Sequence, residues 1–311
     1  MATGTPMAWV AFGSVVLVML ALDLGVFHRK AHVIGAREAA VWSLVWISVA
    51  LLFNLGIYFQ AGSDRALEFF QAWLIEKALS VDNLFVFLVA FSYFAVPAHL
   101  QHRVLFWGII GALITRGVFI AIGAALLANF HFVIYIFGAF LIFTAIRLMR
   151  GGEDEPHPEK NPVLRLFRRF VRLTPEYVGS HFFVRQSGAL YATPLLMVLV
   201  VIEATDVVFA VDSIPAVFGV TNNVFIVYTS NIFAVLGLRA LCFLVASVVR
   251  RLTYLRPALA LVLAFVGAKM LLSDRFRIPN WISLVVIGGL IGGAAVISLL
   301  ASRKNEAQPP S

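Results

Sequence analysis

The chain has 311 residues, of which 61% are hydrophobic and 13% are charged. Soluble domains carry about twice that share of charged residues, so the composition excludes an ordinary soluble globular fold. The formal net charge of +8 does not indicate nucleic-acid binding, because the basic residues gather in particular loops between long apolar segments.

Nine apolar stretches are long enough to cross a bilayer as helices, since a crossing needs about 20 residues. They are residues 7–27, 39–60, 67–94, 104–128, 130–149, 189–218, 223–249, 256–273 and 281–302. Apolar and polar residues do not alternate with a period of two, which argues against a membrane β-barrel. We also expect no cleavable signal peptide at the first stretch. The sequence therefore predicts an all-α membrane protein with a single transmembrane domain.

The distribution of lysine and arginine predicts the orientation of the chain. If the N-terminus lies outside, the inner loops hold most of the basic residues that lie between spans. The outer loops then hold only Arg65, Arg275 and Arg277. Because cytoplasmic loops carry such an excess, we expect the N-terminus outside and the C-terminus inside.

One long polar segment, residues 151–188, is predicted to be a cytoplasmic loop. It begins with a linker-like run rich in acidic residues and proline, and basic and apolar residues interleave over 163–173. Such a stretch is typical of contact with anionic lipids. A solvated linker helix is the alternative, and the pattern leaves both open.

Two parts of the chain resemble each other, and they predict an inverted repeat. In the first span of each copy, an acid is followed six residues later by an aspartate and then a small polar residue. The second span of each copy holds an arginine, and the third span has a cation near its end. These residues are Glu76, Asp82, Asn83, Arg116 and Arg147 in the first copy, and Asp206, Asp212, Ser213, Arg239 and Lys269 in the second. Each copy has three spans, so the second is upside down relative to the first. This construction is typical of secondary transporters. The copies cover about 67–150 and 189–273, leaving 7–27, 39–60 and 281–302 as extra helices.

Six carboxylates lie inside the predicted spans, and they are the main functional signal. They are Asp23, Glu76, Asp82, Glu203, Asp206 and Asp212. Each costs roughly 2.5–3.5 kcal/mol at a helix centre, so such residues usually mark an ion or proton pathway. Arg116 and Arg239 are expected to balance part of this charge as buried ion pairs. Asp23 is a weaker candidate, because it can pair with the basic cluster at 28–30.

Helical spacing indicates which polar side chains share a face. Glu76, Ser80 and Asn83 lie on one face of the third span, and Glu203, Asp206 and Ser213 share a face of the sixth. Asp82 and Asp212 lie about a third of a turn away from these faces.

Two explanations account for the offset of these two aspartates. Either both faces meet polar partners, or the helix unwinds locally. Pro215 favours unwinding in the sixth span, because it removes a backbone hydrogen bond.

The oxygen-rich residue types predict a hard divalent cation, of which manganese is one member. The histidines fall in loops or at span ends, and Cys242 is the only cysteine, so zinc and copper are disfavoured. The candidate ligands are Glu76, Asp82, Asn83, Glu203, Asp206, Asp212 and Ser213, with Ser80 and Asp23 as further possibilities. No tightly bound cofactor is expected, because the cation is the transported ion.

The segments at 76–87 (EKALSVDNLFVF) and 203–218 (EATDVVFAVDSIPAVF) resemble the two signature segments of the TerC family, and residues 21–30 resemble its opening. The resemblance covers nearly the whole chain. It implies a bacterial inner-membrane protein related to LysE-type exporters, associated with manganese efflux, metal supply to exported enzymes and tellurite resistance. It also implies that five acids handle metal, with Asn83 and Ser213 as auxiliary ligands; these acids are Glu76, Asp82, Glu203, Asp206 and Asp212. An acidic site repels an oxyanion, so we expect any tellurite effect to be indirect.

Three classes of function compete at this point. The first is a secondary exporter of a hard divalent cation, in which proton exchange through Asp82 or Asp212 could drive transport. The second is a membrane scaffold or assembly factor that docks partner proteins or further copies of itself. The third is an intramembrane aspartyl protease using Asp82 and Asp212, but its Gly-x-Gly-Asp signature is absent. No nucleotide-binding loop is present either, so we expect a non-enzymatic protein that is not driven by ATP.

Overall fold

The computed structural model describes residues 4–27, 36–150, 171–186, 188–238, 240–242, 254–276 and 278–306. Within these ranges a helix lies in each of the nine predicted spans. The helices are α1 (Pro6–Phe27), α2 (Ala36–Ala61), α3 (Ser63–Tyr93), α4 (Ala98–Asn129), α5 (Val133–Arg150), α6 (Pro194–Phe218), α7 (Val224–Leu236), α8 (Leu255–Leu271) and α9 (Asn280–Glu306). A hairpin of β1 (Phe183–Gln186) and β2 (Ala189–Ala192) precedes α6.

Five of these helices are long and apolar enough to cross a membrane: α2, α4, α5, α6 and α9. Helix α3 has 31 residues, and its six charged residues, Glu76, Lys77 and Asp82 among them, are more than any of those five helices has. The mostly helical fold is thus confirmed, whereas the nine crossings, the orientation and the repeat stay predictions.

The sixth span differs from its prediction at both ends. Residues 189–192 form strand β2 rather than helix, and α6 begins at Pro194, a residue favoured at the first helical position. The predicted unwinding at Pro215 is wrong, because α6 stays helical through it to Phe218. Pro215 lies in the last turn, where it removes only the bond to the Val211 carbonyl.

The break occurs instead in the seventh span. Helix α7 has only 13 residues and ends at Leu236, where Gly237 caps it. The chain becomes helical again at Leu238, and the amide of Leu241 donates to the Gly237 carbonyl at 3.1 Å. Because the residues before the break are fully buried, the interruption lies inside the bundle.

Helices α3, α4, α6 and α7 form the centre of the bundle, with α3 packed on α7 as α4 is packed on α6. Helices α3 and α6 are antiparallel. Ala90 near the end of α3 clusters with Met197 and Val201 near the start of α6, and Glu68 in the first turns of α3 binds Thr221 just after α6.

The remaining helices cover this centre. Helix α5 pairs with α8 at very short range, since a Cβ atom on Gly267 would lie 2.7 Å from the Gly138 carbonyl oxygen. Small residues commonly allow such close approach between membrane helices. Helices α1 and α2 join the centre through tilted and edge-on aromatic contacts, including Phe53 and Phe233 at 4.8 Å between centroids.

The segment 171–193 folds back onto one end of the bundle. The Tyr177 hydroxyl donates to the Phe94 carbonyl at 2.7 Å, and Arg103 donates to the Ser180 hydroxyl at 2.8 Å. The Arg103 guanidinium also lies 5.5 Å from the Phe182 ring centroid. This part of the predicted loop is therefore ordered and docked on the ends of α3 and α4.

Candidate functional site

A buried charge cluster occupies the middle of the bundle, and Arg116 on α4 is its centre. The Arg116 side chain is 0% exposed. Its guanidinium donates to both oxygens of Asp206 on α6, at 2.8 and 3.1 Å. It also donates to Glu76 on α3 and, at 3.2 Å, to the Asn231 side chain on α7. One arginine thus joins four helices and faces two carboxylates.

Three buried oxygen atoms of the predicted ligands lack partners, one in the cluster and one about 10 Å along the bundle in each direction. Glu76 Oε2, Asn83 Oδ1 and Ser213 Oγ are buried with no hydrogen-bond partner among the described residues. The Ser80 hydroxyl is satisfied, because it donates to the Glu76 backbone carbonyl at 2.6 Å. Buried polar atoms are normally paired, so three orphan oxygens on α3 and α6 leave acceptors free for a ligand.

The acids are distributed along the bundle rather than gathered at one point. Glu76 and Asp206 share Arg116, and α3 and α6 are antiparallel. The backbone of Asp82 therefore lies about 9 Å from the cluster towards one end, and that of Asp212 about 9 Å towards the other. An aspartyl protease needs its two aspartates in contact, so this spacing argues against that alternative.

Asp212 has its own polar partner on α5. The Thr144 hydroxyl donates to Asp212 at 3.2 Å, and Arg147 lies one turn further along α5, close enough to act on the carboxylate. Asp212 is therefore offset from Asp206 because a second face of α6 meets polar partners, which is the first of the two explanations.

Glu203 lies half-buried against α4, one turn before Asp206. A Cβ atom on Gly111 would overlap the Glu203 carboxylate, so a larger residue there would displace that carboxylate from its present position. No described side chain pairs with Glu203, which leaves an acid close to the charge cluster.

A polar cavity of about 780 Å³ opens at the end of the bundle that Asp212 faces. Glu68 lies in its wall and accepts from Arg65 at 2.8 Å and from Thr221 at 2.6 Å. Lys269, the predicted terminal cation of the second copy, also lines it. The cavity lies at the end opposite the docked segment 171–193.

Some predicted site residues lie outside the described part of the structure. These are Arg239, the side chains of Asp23 and Asp82, and residues 163–170 of the basic segment. Within the described residues, no group of three or more histidine, cysteine, aspartate or glutamate side chains is placed to hold a metal ion. Metal binding by the predicted ligands stays a prediction.

Three residues contribute to the charge cluster and its surroundings but were not predicted from the sequence. Asn231 binds Arg116, and the polar run 229–231 inside an apolar helix was the available signal. Gly111 and Gly237 each admit a charged side chain, from Glu203 and Lys77 respectively. No local pattern separates these two glycines from the others in the spans.

Comparison with known proteins shows the family to which the sequence belongs. Residues 61–306 match the integral membrane protein TerC family, and that range is most of the chain. The chain belongs to the TerC family. It is 51% identical over 300 residues to "Uncharacterized membrane protein STKORF319" of Myxococcus xanthus, which covers 96% of this chain and 94% of that protein.

A second relative is "Putative membrane-bound redox modulator Alx" of Escherichia coli (strain K12). It is 46% identical over 314 residues, covering 98% of both chains. No solved structure matches the chain. Family membership and the apolar helices together make this a multi-pass membrane protein.

Proposed function

We propose that this TerC-family protein is a secondary transporter that exports a hard divalent cation, with manganese as the first candidate. The observation that carries the proposal is the buried cluster in which two carboxylates face one arginine. Structural ion pairs need one cation for each anion. Here the acids exceed that need, because Glu203 and Asp212 lie on the same helix as Asp206.

The type of free atom supports a hard cation. Carboxylate, amide and hydroxyl oxygens suit manganese and magnesium, and these are the atoms left without partners at Glu76, Asn83 and Ser213. Glu76 and Asp206 are committed to Arg116 in this conformation. The cation therefore binds there only after the guanidinium moves away, which gives the protein a closed resting state.

The row of acids along the bundle supports transport of the cation through the protein rather than storage of the cation at one site. Carboxylates recur from Asp82 through the cluster to Asp212, and Glu68 follows in the wall of the cavity. Each step along α3 or α6 is about 9–12 Å. In this proposal Asp82 or Asp212 takes up a proton on one side of the cycle, and the two halves rock about the cluster.

The proposed setting is the bacterial inner membrane, with the N-terminus outside and residues 163–173 against anionic lipids. A non-enzymatic role is part of the proposal, and a link to tellurium resistance would be indirect. The relative's name refers to redox modulation. Cys242 is the only cysteine in this chain and is buried, so an intramolecular disulfide cannot carry such a role here.

A second function is favoured by one observation. Arg116 already pairs with both Glu76 and Asp206, as expected of a purely structural network. A scaffold that supports metalation or insertion of other membrane proteins, alone or as a homo-oligomer, would use the cluster to fix helix packing.

Total cellular manganese separates the two functions. A bacterial host without its own manganese exporter would carry empty vector, the native protein, or the double variant Asp82→Asn with Asp212→Asn, under manganese load. Asp64→Asn is the matched control, because Asp64 is an exposed acid in the first turn of α3.

We expect lower manganese with the native protein and with Asp64→Asn, but not with the double variant. Equal manganese in all strains, with normal membrane expression, would refute export and favour the scaffold.

A further inference from the structure

Lys77 lies next to Glu76 on α3 but does not join its ion pair. Its ammonium donates instead to the backbone carbonyl of Ala234 on α7, at 3.2 Å. No described carboxylate pairs with Lys77. A charged amine inside the bundle is therefore held by a backbone oxygen.

The break in α7 creates the oxygen that Lys77 binds. The last carbonyls of a helix have no amide partner within it, and they carry the negative end of the helix dipole. Helix α7 ends at Leu236, two residues after Ala234. The break thus leaves the Ala234 carbonyl oxygen to accept from the ammonium.

Gly237 makes room for this contact. A Cβ atom at Gly237 would lie 2.7 Å from Lys77 Nζ and 3.3 Å from Trp46 Cβ. Any other residue at the break would displace the ammonium. The backbone end and the missing side chain are two independent features that fit one amine.

Lys77 and Arg116 contact neighbouring positions on α7. Arg116 binds the side chain of Asn231, and Lys77 binds the carbonyl of Ala234 one turn later. Arg116 alone leaves Glu76 and Asp206 with one negative charge in excess. Lys77, the residue after Glu76, brings a second positive charge into this part of the bundle, so the charges of Glu76, Asp206, Arg116 and Lys77 sum to zero and Glu203 is the remaining acid.

We propose that Lys77 is a tethered counter-cation for the buried carboxylates, held in a site at the broken end of α7 that accepts a primary alkylammonium group. The site offsets the carboxylate charge that Arg116 leaves uncompensated on Glu76 and Asp206 when no other cation is present. A transported cation would then compete with Lys77, and this last consequence alone rests on the proposed function.

The test uses the full chain in lipid nanodiscs and measures thermal unfolding, without manganese. Lys77→Ala removes the amine and its stem, and n-propylammonium chloride is offered as a replacement. Tetramethylammonium chloride at the same ionic strength has the charge but no N–H donor. Lys269→Ala is the matched control, because Lys269 lines the end cavity together with Asn223, which caps the opposite end of α7 from the break.

We expect Lys77→Ala to melt about 4–8 °C below the native protein, as for loss of a buried charged hydrogen bond. Propylammonium should restore at least half of that difference, and tetramethylammonium should not. The native protein and Lys269→Ala should not respond. Native-like melting of Lys77→Ala, or equal effects of both amines, would overturn the proposal.

A second measurement covers the case in which Lys77→Ala does not fold. Gly237→Ala and Lys77→Met, singly and together, form a double-mutant cycle. If the glycine serves the ammonium, Gly237→Ala lowers the melting temperature of the native protein by clearly more than that of Lys77→Met, in which only the contact with Trp46 stays. Additive losses would refute the link between them.

Discussion

Replacing Arg116 by methionine tests the charge cluster most directly. The substitution keeps an unbranched side chain but removes every donor to Asp206 and Glu76, whose side chains are 3% and 1% exposed. Removing one partner of a buried pair costs about 3–5 kcal/mol, because the remaining charge is uncompensated. For a chain of this size we expect the melting temperature to fall by about 5–15 °C. The assay is thermal unfolding in nanodiscs.

Two comparisons make this prediction specific. Arg150→Met removes an exposed arginine at the end of α5, and it should melt within about 2 °C of the native protein, as surface changes usually do. Adding Asp206→Asn and Glu76→Gln to Arg116→Met should recover part of the loss, since the uncompensated charges disappear. An Arg116→Met protein as stable as Arg150→Met would refute the reasoning.

Three further predictions address the rest of the bundle. Gly267→Val should separate α5 from α8, because the valine side chain would collide with the Gly138 carbonyl. We expect size-exclusion chromatography to show loss of folded protein. The control Gly13→Val places its side chain in open space and should have no effect. Glu68→Gln should loosen the contact with Thr221, seen as faster hydrogen exchange at 219–223; unchanged exchange would contradict this. Burial raises the pKa of the Tyr177 phenol above its ordinary 10.0. The stability that the protonated phenol contributes is therefore complete at lower pH, and it is lost as the pH rises through the pKa of the phenol in the folded protein. Tyr177→Phe should flatten that alkaline loss in pH-dependent melting, and an unchanged profile would contradict the assignment.

The sequence predicted where the helices lie, because each span is an apolar run bounded by charged or turn-forming residues. It also singled out Glu76, Asp206 and Arg116, which the structure brings together. These residues stand out because charge inside an apolar run is costly and therefore rare.

The positions of the acids along the bundle axis could not be predicted from the sequence. Helical period gives the face on which a residue lies, but it does not say at what height a neighbouring helix crosses. The antiparallel packing of α3 and α6 separates Asp82 from Asp212, and this follows from tertiary contacts alone.

The helix break also needed the structure. Proline was the visible breaker, yet Pro215 lies in a last turn where it does little. The interruption occurs at Gly237, and Gly111 in the unbroken α4 carries the same local signal. What separates the two glycines is which charged side chain reaches them.

The docked segment 171–193 limits how the bundle can move. It attaches to the end of α3 through Tyr177 and to the start of α4 through Arg103, and it continues directly into α6. At that end, elements of both proposed repeat copies are tied together. Any rotation of one copy relative to the other must then pivot at the end where the segment is docked. The largest displacement occurs at the opposite end of the bundle, where the cavity lies.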